Sequence, residues 1–117
     1  MIKALALTLA LFCSVPPCFA DGAIARDPRD NSSVVVANKA TRDAAIHDAM
    51  LACGDGCVIV ATYKNACASY AADHREGSLA YGYGLASDPQ RADEMALDHC
   101  QERGGSCTVM ASGCDGQ

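Results

Sequence analysis

The sequence predicts an α+β domain built from a duplicated ββαβ unit. The strands are expected to form a mostly antiparallel sheet with two helices on one face, stabilised by disulfides. Three observations carry this reading. Two stretches repeat one pattern: an Ala-rich helix ending in Cys, a Gly turn, then a Cys opening an apolar run. Apolar residues switch between helical and strand periods along the chain. Eight Cys in 117 residues suit a small exported scaffold.

The elements follow in order. Residues Ala4 to Val15 form an apolar stretch behind Lys3. It is too short to span a bilayer core of about 30 Å as a helix. Pro16 and Pro17 end it, and Cys18-Phe19-Ala20 offers small residues where a signal peptidase reads. Residues 1–20 are therefore read as a signal peptide cleaved after Ala20, and 21–117 as one secreted domain. A lipidated Cys13 or Cys18 fits poorly, because Phe12 and Pro17 stand where a small residue is needed. Cleavage removes Lys3, Cys13 and Cys18 and leaves six Cys and a more acidic chain.

Ala23 to Ala25 is read as a short first strand and Val34-Val35-Val36 as the second. Arg42 to Cys53 places Ala45, Ile46, Ala49, Met50 and Cys53 on one helical face, with Thr41 as N-cap and Gly54 closing the helix. Val58 to Tyr63 is the next strand. Ala68 to Ala72 and Leu79 to Tyr83 are strands joined by the charged turn Asp73-His74-Arg75-Glu76-Gly77. Ser87 with Gln90 fits a capping box, and Pro89 suits a first helical turn. Ala92, Met95, Ala96, His99 and Cys100 form that helix's inner stripe, and Gly104 ends it. Thr108 to Ala111 is the last strand. The repeat units span about 22–63 and 67–114.

Composition narrows the function classes. Fourteen acidic against nine basic residues give a net charge of -5, which repels phosphate and argues against nucleic-acid partners. No further apolar run supports stable membrane insertion after signal cleavage. Trp is absent and only two Phe and four Tyr are present, so the core is thin.

Several segments together resemble a known family. They are Gly22-Ala23-Ile24-Ala25, Ala52-Cys53, Cys57-Val58-Ile59-Val60, Asn65-Ala66-Cys67, Tyr81-Gly82-Tyr83-Gly84 and the terminal Cys107 to Cys114. In that order they look like the domain of unknown function 4189. The resemblance covers nearly all of the chain after the signal. It implies a small secreted bacterial domain with a Cys-paired repeat, and no activity.

Six Cys allow fifteen pairings. The repeat narrows them to Cys53 with Cys57 and Cys100 with Cys107, leaving Cys67 with Cys114. In a chain-entropy estimate the two local bridges are worth roughly 2–2.5 kcal/mol each and the long one roughly 4. A metal site is not expected, since no CxxC pair occurs and export favours oxidation. No cofactor motif is present: Tyr81-Gly82-Tyr83-Gly84 lacks the Lys and following helix of a phosphate loop.

No catalytic constellation emerges. His47 and His99 sit on helices and His74 in a turn, none with an evident nucleophile. His47 and Asp48 are adjacent on a helix and are not expected to face each other. Asp93, Glu94 and Asp98 read as a solvated helix face. Asn31-Ser32-Ser33 matches a glycosylation sequon, relevant only in a eukaryotic secretory route. Tyr81 and Tyr83 share one strand face. If that face points away from the helices it is a possible binding surface; otherwise it is core.

The sequence reading is thus an exported domain, in the periplasm or outside the cell, that binds another protein as an inhibitor, immunity factor or effector. The alternatives are a small cell-envelope hydrolase using Asp/Glu and His, and a structural envelope protein.

Overall fold

The computed structural model describes residues 20–116. The signal-peptide reading falls, apart from Ala20, outside them. Eight elements follow in chain order: β1 (Asp21–Arg26), β2 (Ser33–Lys39), α1 (Arg42–Cys53), β3 (Val58–Lys64), β4 (Cys67–Asp73), β5 (Tyr81–Ala86), α2 (Pro89–Glu102) and β6 (Cys107–Cys114). This is ββαβ twice. Both halves have the same topology, with the first strand in the centre: β2-β1-β3 and β5-β4-β6. All pairings are antiparallel. The halves even share a bulge. Val60 is unpaired opposite Ile24 and Ala25, and Met110 opposite Tyr70 and Ala71.

The strands form two three-stranded sheets, not one. Alternation explains why. Ala23 and Ala25 face α1 and pack on Ala45 and Ala49. Ile24 points the other way, into a cluster with Tyr63, Ala68, Tyr70 and Ala72. On β4, Ala71 packs on Ala96 and Cys100 of α2. Both central strands are therefore buried on both faces, and such a sheet needs a second layer. The inner faces meet each other. Each sheet carries its own helix on its outer face, so the helices lie on opposite sides of the paired sheets rather than together on one face.

Local signals set most boundaries. Thr41 accepts a hydrogen bond from the Ala44 N–H at 3.0 Å, and the Gly54 N–H returns to Met50 O at 2.9 Å. Gly54 sits at φ +104°, a conformation costly for other residues. The cap of α2 is Asp88, not Ser87. With Pro89 at the first helical position the cap must be its immediate neighbour, and Asp88 Oδ1 accepts from the Arg91 N–H at 2.9 Å. β5 begins two residues later than its apolar run, because Ser78 donates back to Arg75 O and leaves Leu79 in the turn.

All three expected disulfides are present: Cys53–Cys57, Cys67–Cys114 and Cys100–Cys107. Cys67 and Cys114 are direct partners across β4 and β6. The matching pair in the first half is Asp21 and Lys64, held by an ion pair of 3.9 Å instead of a covalent bond.

Candidate functional site

Each central strand ends in the same device. β1 runs into Asp27-Pro28-Arg29 and β4 into Asp73-His74-Arg75, 46 residues later. Asp27 Oδ1 accepts from the Arg29 backbone N–H and Nε, both at 2.9 Å, and Oδ2 from Nη2 at 2.6 Å. Asp73 receives the same three kinds of donor from Arg75. Each guanidinium then reaches a backbone carbonyl inside a disulfide loop: Arg29 to Asp55 O at 2.6 Å, Arg75 to Gly104 O at 2.7 Å. Strand end, turn and disulfide loop are fixed as one unit in both halves. The signal was in the sequence as two Asp-x-Arg triplets after Ala-rich strands, and helix-based alignment of the repeats passes over it.

Hydrogen bonds from its arginine hold the Asp27 carboxyl down at about 2, and Asp73 is lowered further by the same cause. Ordinary aspartates titrate near 3.9. A depressed folded pKa contributes stability above the unfolded value and loses it as pH falls through the folded one. Urea midpoints are therefore expected to fall between about pH 5 and pH 2. Asp27→Asn and Asp73→Asn lower the midpoint at pH 7 and flatten that slope; an unchanged slope in the double variant would refute the assignment.

The two turns meet. Asn31 is buried at φ +66° and donates from Nδ2 to Ala80 O at 2.8 Å. Its Oδ1 accepts from Arg26 and from the Tyr70 hydroxyl. Occupied in this way, Asn31 is unsuited to glycosylation. Between the turns lies an open cleft of about 580 Å³. Asp30, His74, Arg75 and Glu76 give it a polar wall, and Leu79 and Met110, each about half exposed, give it an apolar one. His74 Nε2 is hydrogen-bonded to Thr108 Oγ1.

Tyr81 and Tyr83 lie on the face of β5 away from α2, turned toward the other sheet. Tyr81 is engaged inside the molecule. It stacks on Tyr70 with ring centres 5.6 Å apart, and the guanidinium of Arg26 lies 4.0 Å from its centre and that of Arg103 4.5 Å. Tyr83 is at the free edge of β5. It lines a second cleft of about 500 Å³ with Leu85, Met95, His99, Glu102 and Arg103.

The histidines are not gathered. His99 Nδ1 donates to Tyr83 O at 3.0 Å. His47 does touch Asp48, at 3.4 Å, because the two exposed side chains bend toward each other; Asp48 is also held by Lys39 at 3.1 Å. The clefts beside His99 and His47 are lined by no Ser, Thr or Cys, while the cleft that holds His74 also contains Ser32 and Ser78. Asp93 is bound by the Ser69 hydroxyl, so it serves to dock α2 on β4. Among the described residues no three His, Cys, Asp or Glu side chains are grouped to hold a metal ion. Among the same residues, no helix is long and apolar enough to cross a membrane.

The sequence profile of the domain of unknown function DUF4189 matches residues 22–114. The chain belongs to this family. No curated protein and no solved structure matches it. The DUF4189 span takes in all six Cys of the three bridges, both Asp-x-Arg triplets and both turns of the cleft. The family thus corresponds to the whole duplicated unit, and its description carries no activity.

Proposed function

We propose that this DUF4189 domain is exported to the periplasm or the medium and acts by binding another protein, with the cleft between the two turns as its docking surface. The observation that carries this is the pairing of Leu79 and Met110, both exposed, within a polar rim of Asp30, His74 and Glu76. Apolar anchors inside a polar rim are the usual anatomy of a protein interface. The walls are the turns clamped to the disulfide loops, so little ordering entropy opposes docking. Three disulfides suit an oxidising compartment.

Leu79→Asp with Met110→Asp tests it. A photo-crosslinker at Ser78 is expected to capture one envelope protein, and the double variant to lose at least tenfold of that adduct while keeping three disulfides. Capture that is indifferent to both substitutions would refute the docking surface. A hydrolase reading draws on His99 and Glu102 sharing the β5-edge cleft. It requires activity on an envelope polymer that His99→Ala abolishes.

A further inference from the structure

Asp115 follows directly on the last strand, and its carboxylate has no counter-charge among the described residues. The residue is 5% exposed. Its N–H donates to Ala66 O at 2.8 Å, which fixes it under the β3–β4 turn. Oδ1 accepts the Asn38 N–H at 2.6 Å. Oδ2 is buried and has no hydrogen-bond partner among the described residues. A buried carboxylate oxygen left bare is costly, and such groups normally meet a cation.

The neighbouring lysines are committed elsewhere. Lys39 pairs with Asp48 at 3.1 Å and Lys64 with the Asp21 side chain at 3.9 Å. The groups that face Asp115 otherwise are the Asp21 carboxyl and Tyr63; burial first, and the negative charge of Asp21 after it, push the Asp115 carboxyl up.

The start of β1 lies at the same place. Asp21 is paired with Lys39 on one side and Lys64 on the other. These are the residues next to Asn38 and Asn65, both at positive φ. Asn65 donates its N–H to Ala20 O at 3.1 Å, and Asn38 Oδ1 accepts from the Gly116 N–H at 2.9 Å. The Ala20–Asp21 peptide bond is therefore held between the two Asn turns that frame Asp115.

We infer that Asp115 is the counter-ion of the α-ammonium group that signal cleavage creates at Asp21. The proposal rests on the export reading. Water, delivered by a signal peptidase, breaks the Ala20–Asp21 amide. Ala20 leaves with the new carboxylate, and the Asp21 nitrogen keeps the new amine, which is protonated at neutral pH. That cation appears beside the bare Oδ2, and the Asn65 N–H passes to water. Processing thus supplies the domain's missing charge and locks β1 to the end of β6.

The test is α-amine reactivity in the exported protein. Intact mass and N-terminal sequencing first identify the initial residue. Trace acylation at pH 7 then compares the wild type, Asp115→Asn, and a chain that retains Ala20 as its first residue. All three are checked for three intact disulfides. The wild-type amine is expected to react about tenfold more slowly than the other two, as a one-unit rise in its pKa requires. A first residue other than Asp21 overturns the processing step and the lock with it. A start at Asp21 with equal rates overturns the lock alone.

Discussion

Replacing Cys67 and Cys114 by Ser is expected to remove about 4 kcal/mol of stability, against about 2 for Cys53 and Cys57. The bridge spans 47 positions, where the other two span 4 and 7. Freeing it gives the unfolded chain far more conformational entropy. The folded side loses little in compensation, since the interior is mostly Ala and its largest fully buried side chains are Tyr70 and Ile24. A domain of this size holds only a small margin. Urea unfolding of both double variants without reductant measures the difference. A loss for Cys67–Cys114 no larger than for Cys53–Cys57 would show that the long bridge does not limit the unfolded chain.

Gly84→Ala is expected to cost about 3 kcal/mol, at the upper end for added core volume. A Cβ there lies 2.3 Å from Ala92 O and 2.6 Å from the Met95 Cβ. Both belong to α2, and a backbone carbonyl cannot rotate aside. The helix must lift from β5, which loosens Ala96 and Cys100 on Ala71. In the first half Val36 occupies the corresponding strand position, so α1 does not demand Gly there. Gly113→Ala is the control, since its nearest neighbour is the Val35 Cγ1 at 3.3 Å. Thermal midpoints decide. Equal effects at the two glycines would mean that α2 rides more freely than its contacts imply.

Much of this architecture was legible because it rests on local chemistry. The Thr41 cap, the Gly54 stop and the Ala spacing between them bound α1 at Arg42 and Cys53. The repeat gave the Cys pairing because Cys53–Cys57 and Cys100–Cys107 close equivalent loops of the two units, which left Cys67 only Cys114. What escaped was non-local. One alternating strand cannot say whether its second apolar face meets a helix, a sheet or water, so the division into two sheets was hidden. Tyr81 illustrates the same limit: strand parity put it on one face with Tyr83 and left open which face that was, and Arg26, 55 positions earlier, takes up its ring. The docking cleft was equally hidden, because Leu79 reads as strand until Ser78 folds back on Arg75. The Asp-x-Arg triplets were visible but short, and their meaning depends on carbonyls in loops far along the chain.

The two halves close the same edge with different chemistry. A covalent staple ignores dissolved ions and yields to thiols. The Asp21–Lys64 contact, with its lysine largely in solvent, does the opposite. Fraying of β1 from β3 should therefore follow ionic strength, and fraying of β4 from β6 should follow redox poise. Duplication has given one small molecule two ends that weaken under different surroundings.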